Sequence, residues 1–137
     1  MPWITIEDDD PRWKYNGFKI KKDQWNASGG SLSFGYKDCK AEINFYGKAV
    51  QYYAHRNSKG GKVTILIDGK NYGEFSLKSA SNKYWQYYVK IFEKLNLNPG
   101  KHNLKIFGDI SPKEKTIDML SIIPIEWHLN IPQRLSL

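Results

Sequence analysis

Cysteine, helix signals and catalytic motifs are what this 137-residue chain has least of. Cys39 is the sole cysteine, so no intrachain disulfide can form and stability has to come from packing, with or without a metal. A chain of this length makes one domain. It can bury roughly two thirds of the surface its unfolded form exposes, enough for a core without staples. No stretch approaches the ~20 apolar residues of a membrane helix. The acidic start, Met1 to Asp10, lacks the apolar core of a signal peptide. The expectation is therefore a chain not exported by that route, or a piece excised from something larger. No G-x-S-x-G elbow, H-E-x-x-H pair or glycine-rich phosphate loop is present. Cys39 follows Asp38 and has no histidine near it in sequence, which argues for a free thiol at a strand edge and against a nucleophile. Nothing marks out a carboxylate pair for glycoside hydrolysis among the 14 acidic residues. The chain is expected not to be an enzyme. Internal repeats, low-complexity tracts and linkers are also missing.

What the chain does have is positive charge and aromatic rings. Lys and Arg number 21 against 14 Asp and Glu, a formal charge of +7. That balance raises nucleic acid as a partner. The lysines are scattered through turns and strand exteriors, however, and only Lys19, Lys21 and Lys22 form a dense group. Scattered surface lysine keeps sheet edges from associating. Five Trp, nine Tyr and six Phe make 15% of the residues. A sandwich core does not hide that many, so some rings are expected at the surface, where they mark a binding face.

Hydrophobic periodicity assigns the fold class. Ala41, Ile43 and Phe45 alternate with Glu42 and Asn44; Val63, Ile65 and Ile67 do the same. Period-two alternation means strands with one buried face. Asp68-Gly69 directly after the second run is a hairpin signal, because both residues tolerate positive φ. The same reading predicts strands at Trp3–Glu7, around Phe18 and Ile20, and at Ser31–Tyr36, Ala41–Tyr46, Ala49–His55, Lys62–Ile67, Tyr72–Leu77, Tyr84–Leu95, His102–Phe107 and Thr116–Ile123. Short strands at about 8–12-residue spacing predict an all-β, antiparallel two-sheet β-sandwich of jelly-roll type. The sandwich is expected over residues 1–124. Residues 125–137, with Trp127 and Pro132, fall outside the pattern as an extension packed on it or free.

The order of motifs along the chain is Asp9-Asp10-Pro11-Arg12, then Trp25 with Ser28-Gly29-Gly30-Ser31, then Ala41 to Val50, then Gly60-Gly61-Lys62-Val63 leading to Ile67-Asp68-Gly69-Lys70. Pro99 to Leu104 and Thr116-Ile117-Asp118-Met119 follow. This combination resembles the galactose-binding-like β-sandwich modules that include many carbohydrate-binding modules, over roughly residues 5 to 123. The resemblance implies a ligand on loops at one end of the sandwich or on a concave face. It also implies that such modules occur beside glycoside hydrolases and esterases, in adhesins and in phage tails. Many of them hold a structural calcium between the first and last strands; here Glu7, Asp8 and Asp118 stand at those places. The alternative for them is a solvated turn at Asp8-Asp9-Asp10 and a local hydrogen bond at Asp118.

Sugar recognition needs flat rings against pyranose C–H faces and polar side chains for the hydroxyls. His55, Arg56 and Asn57 put imidazole, guanidinium and amide on one loop between two strands, which would hold it rigid. Tyr52-Tyr53 gives one outward ring whichever parity is buried; Tyr53 is taken as that ring. Trp85 follows the polar stretch Asn82-Lys83-Tyr84, and Trp25 precedes Asn26. The competing reading for Tyr52, Trp25 and Trp85 is a place in the core. His102 shares the parity of Leu104 and Ile106 and is expected inside, hydrogen-bonded.

The sequence thus points to a non-catalytic, extracellular or cell-surface module, or a virion component. It would bind a glycan or cell-wall polysaccharide through Trp25, Tyr53, His55, Arg56, Asn57 and Trp85, with no cofactor required and calcium as a structural ion. The alternatives are an assembly module of a phage tail, baseplate or adhesin, docking on a parent enzyme or phage structural protein, and a single-stranded nucleic-acid binder.

Overall fold

A computed structural model describes residues 3–80 and 85–125. Among them, ten strands form two antiparallel sheets. In chain order they are β1 (Ile4–Glu7), β2 (Lys14–Lys21), β3 (Leu32–Gly47), β4 (Ala49–Arg56), β5 (Lys62–Ile67), β6 (Lys70–Ser76), β7 (Gln86–Lys94), β8 (Gly100–Gly108), β9 (Lys115–Ile117) and β10 (Met119–Ile123). One sheet runs β1-β10-β4-β7. The other runs β2-β3-β8-β5-β6, with β9 added against the start of β3.

The alternating runs set the register. Ile43 pairs with Leu104 and Ala41 with Ile106, while Ile65 and Ile67 meet the same two residues from β5. On the facing sheet Ile6 and Tyr52 both pair with Leu120. These inward side chains are buried and form one core. Each removes an aliphatic or aromatic group from water, worth about 2 kcal/mol apiece. Tyr52 brings a hydroxyl into that core, and it donates to the Thr116 carbonyl at 2.6 Å. The β5–β6 hairpin closes through Asp68 and Gly69, both at positive φ (53° and 82°).

Three sequence expectations change. The strands expected at Ser31–Tyr36 and Ala41–Tyr46 are one continuous strand, β3, which carries Asp38 at φ 53° without breaking. The strand expected over Thr116–Ile123 is two, divided at Asp118. Residues before it pair in one sheet and residues after it in the other. Residues 115–122 are buried throughout, so no break in the hydrophobic pattern marks where the chain changes sheet. Cys39, expected at a strand edge, is buried in β3, with Gly35 and Gly108 packed against it too closely for any side chain. Its burial pushes the thiol pKa up. No helix among the described residues is long and apolar enough to cross a membrane. Trp127, Pro132 and Asn82 to Tyr84 lie outside the described residues.

Candidate functional site

The topology gathers one set of loops. β1 ends at Glu7, β4 at Arg56 and β6 at Ser76, while β7, β9 and β10 begin at the same end. Bridges Asn57–Lys78 and Gly60–Glu114 tie the loops together across that end. The result is an open cleft of about 730 Å³, whose lining includes Tyr36, Asn57, Lys59, Trp85, Pro112 and Glu114.

Trp85 is the ring this cleft is built around. It is 42% exposed and meets Phe34 at 6.3 Å in an edge contact. Tyr87 stacks beside it at 6.4 Å with ring planes 23° apart. Behind both rings lies His55, only 2% exposed, edge-on to Tyr87 at 5.1 Å. His55 forms the floor of a second, smaller pocket of about 160 Å³ with Gln24, Asn26, Trp85 and Tyr87. Trp85 therefore stands as a ridge between two depressions.

The polar wall comes from Glu114, whose carboxylate accepts from Asn57 Nδ2 at 2.6 Å and from the Tyr36 hydroxyl at 3.3 Å. Burial and the neighbouring Glu114 charge raise the Tyr36 pKa. Asn57 also caps its own turn, its Oδ1 accepting from the Lys59 amide at 2.8 Å. A half-exposed ring beside an amide, a carboxylate and a lysine could stack a sugar ring on its face and bond its hydroxyls.

The structure brings His55, Asn57 and Trp85 into this end, with His55 under the rings and not on a solvated loop. Arg56 is partly buried beside them, and its Nε has no hydrogen-bond partner. Trp25 is 90% exposed and borders a neighbouring depression with Lys22, Gln24 and Gly30. Tyr53 lies on the outer face of the four-stranded sheet, stacked on Tyr88 at 4.8 Å, while Tyr52 takes the core place. Tyr36 and Glu114 were not legible in the sequence, since neither stands near another candidate along the chain. Tyr87 and Tyr88 were not singled out either, although they continue the aromatic stretch that Trp85 opens.

Beneath the rings lies a pair of acids. Glu7 Oε2 accepts from the Ser28 hydroxyl and Asp118 Oδ1 from the Ser28 amide, both at 2.9 Å. Their other oxygens, Glu7 Oε1 and Asp118 Oδ2, are buried with no hydrogen-bond partner, as is His55 Nε2, 3.7 Å from Asp118 Oδ2. Burial raises the Glu7 pKa; the Ser28 hydrogen bond opposes this, and the charges of Asp118 and Asp9 reinforce it. Gly29 presses on this carboxylate. A Cβ there would come within 2.8 Å of Glu7 Cδ, and its φ of +65° already favours glycine. Orphaned buried carboxylate oxygens are costly unless a cation or proton meets them. The pair fits a hard cation such as calcium, which takes six to eight oxygens. Among the described residues no three acidic, histidine or cysteine side chains converge on one point, so main-chain carbonyls or water would complete the shell. Asp8 faces away from this pair. Its two oxygens accept from the Ser31 and Ser33 hydroxyls, the latter at 2.8 Å. Burial raises its pKa against those two bonds.

No family sequence model and no curated protein matches the chain. Solved structures do. A family 35 carbohydrate-binding module from Clostridium thermocellum superposes with TM-score 0.67 at 10% identity, over 91% of this chain and all of that one. The C-terminal family 6 module of a marine laminarinase from Zobellia galactanivorans gives TM-score 0.60 at 16% identity, over 89% of this chain and 99% of that one. A cycloisomaltooligosaccharide glucanotransferase from Paenibacillus sp., complexed with cycloisomaltoheptaose, matches with TM-score 0.66 at 12% identity. There the match covers 87% of this chain but 18% of the enzyme, so this chain corresponds to one part of that larger protein. At these identities the likeness is one of architecture, and the chain has the β-sandwich fold of carbohydrate-binding modules.

Proposed function

We propose that this chain is a non-catalytic carbohydrate-binding module that captures a glycan across Trp85, as an extracellular or surface-displayed part of a larger enzyme or particle. The observation that carries this reading is the half-exposed indole of Trp85, set between two pockets and flanked by Asn57, Lys59 and Glu114. Trp85 and Tyr87 would offer the stacking surface, and the amide and carboxylate would bond hydroxyls. Lys59 and the chain's net charge of +7 would favour an acidic polysaccharide over a neutral one, an attraction that salt weakens. A calcium ion held by Glu7 and Asp118 would supply charge neutralisation and stiffen the loop at Ser28 beneath the cleft; the two carboxylates and the Ser28 contacts are this chain's part in that.

Affinity electrophoresis through gels of a neutral glucan and of a polyuronate tests the reading. Trp85→Ala is expected to lose roughly tenfold or more in retention, the scale of one stacked ring, with an unchanged fold. Full retention by Trp85→Ala would remove the cleft from consideration. The exposure of Trp25 outside the cleft favours a second reading, docking of this end onto a protein in an assembly. In that case Trp25→Ala would disrupt the assembly while sugar gels would never retard the chain.

A further inference from the structure

Lys115 is the one buried lysine or arginine among the described residues; it has no part in the glycan contacts proposed above, yet it sits directly behind the cleft wall. Lys115, at the start of β9, is wholly buried. Its Nζ donates to the carbonyls of Ser111 at 2.7 Å and of Tyr36 and Asp109 at 3.1 Å, and lies 2.7 Å from Asp109 Oδ1. Three carbonyls and one carboxylate around a positive centre are the surroundings proteins otherwise give a hard metal ion. We propose that Lys115 is a built-in cation that shapes the binding cleft, filling an oxygen-lined site with its ammonium and so pinning Tyr36 and the segment 109–114 in place.

Three further observations support the assignment. First, the lysine stem passes through a channel kept open by glycine. A Cβ on Gly61 would lie 2.6 Å from Lys115 Cε, and one on Gly108 would lie 3.1 Å from Cδ. Second, the pinned segment is the cleft wall itself, carrying Pro112 and Glu114, and Tyr36 completes the wall through its bond to Glu114. Third, main-chain bonds run outward from the pin to β3, β5 and the turn before β5: Asp38 N to Asp109 O at 3.1 Å, Asp109 N to Lys62 O at 3.0 Å, and Gly61 N to Glu114 O at 2.8 Å. Asp109 responds as a cation partner should. Burial alone would raise its pKa, but the bonds from Lys115 and Ser111 and the lysine charge hold it below its ordinary value. A buried cation whose acceptors lie in the 109–111 segment and at Tyr36 of β3 ties that segment to the strand. Removing it takes a charged donor from three carbonyls and a carboxylate, leaving Asp109 the bonds from Asp38 N and the Ser111 hydroxyl.

The placement of the wall rests on these contacts alone; its consequence for sugar capture rests on the glycan reading above. Hydrogen exchange on the whole chain separates the two. Lys115→Met keeps most of the apolar stem and deletes the ammonium. The amides of Asp38, Gly61, Asp109 and Glu114 are expected to exchange roughly tenfold faster or more, while Tyr52, Ile65 and Ile106 in the core keep their rates. Polysaccharide-gel retention should fall in parallel. Unchanged exchange in the segment, or an equal rise in the core and the segment, would overturn the assignment. If Lys115→Met does not fold, Asp109→Asn keeps the lysine and weakens the pin. A smaller rise confined to the same amides then supports it, and none overturns it. If the unaltered chain is retained by no polysaccharide, the glycan reading fails and the exchange result still decides the role of Lys115.

Discussion

Glu7 and Asp118 give a prediction whose sign reverses with a single reagent. Each has a buried carboxylate oxygen with no partner. If calcium is held there, saturation at a hundredfold excess over its dissociation constant stabilises the fold by about 2.7 kcal/mol. A chain of 137 residues unfolds with an entropy of about 0.29 kcal/mol/K, from roughly 2.1 cal/mol/K per residue, so the melting temperature should rise by about 9 °C over protein in chelator. Glu7→Gln should then lower the melting temperature in calcium, because a ligand charge is lost. In chelator it should raise it, because a buried like-charge contact with Asp118 is relieved. The pH dependence has a definite direction. The folded Glu7 pKa lies above its ordinary value, so its contribution to stability is complete below the ordinary carboxylate range and is lost as pH rises through the folded value. The gap between calcium and chelator curves should therefore widen from pH 4 to pH 7.5. Differential scanning calorimetry of both proteins under both conditions is the assay. Curves within about 1 °C of each other at pH 7.5, together with a lower melting temperature for Glu7→Gln in chelator, would refute the cation site.

The remaining predictions concern the scaffold. Tyr52→Phe deletes a core hydroxyl and leaves the Thr116 carbonyl without that donor. The expected loss is about 1–2 kcal/mol, or roughly 3–7 °C, read by denaturant and thermal unfolding. At the far end of the sandwich, His102 faces two acceptors, Asp68 Oδ2 at Nδ1 and the Asn98 carbonyl at Nε2, each at 2.6 Å. Burial works to raise the Asp68 pKa, but the bonds from His102 and the Asn103 amide outweigh it and hold the value low. A depressed carboxylate contributes stability above its unfolded value and loses it as pH falls through the folded one. Asp68→Asn should therefore cost about 1 kcal/mol at neutral pH, a modest figure because the side chain is half exposed, and should flatten the acid limb of the stability profile below pH 4. An unchanged acid limb would show that the Asp68–His102 contact carries no charge-dependent stability.

How much was legible beforehand follows from the range of each force. Alternation at Ala41–Phe45 and Val63–Ile67 and the Asp68-Gly69 turn are local properties, and they were enough for an antiparallel sandwich with its hairpin and for the interior place of His102. Which tyrosine of Tyr52-Tyr53 faces the core depended on the register with Leu120, a contact 68 residues away along the chain. The merging of two expected strands into β3, and the crossover at Asp118, were invisible because local alternation does not record which sheet a strand joins.

The candidate site divides in the same way. The residue types of a glycan site were present in plain sequence: rings at 25 and 85, and imidazole, guanidinium and amide at 55–57. Their arrangement was not, because Tyr36, Asn57 and Glu114 meet only after three separate strands close one end of the sandwich. Period and turn chemistry decided the architecture, since each acts over a few bonds. Packing between sheets decided which rings stayed in water, which acids lost their partners and where the Lys115 ammonium met its buried acceptors, since burial depends on the whole folded chain.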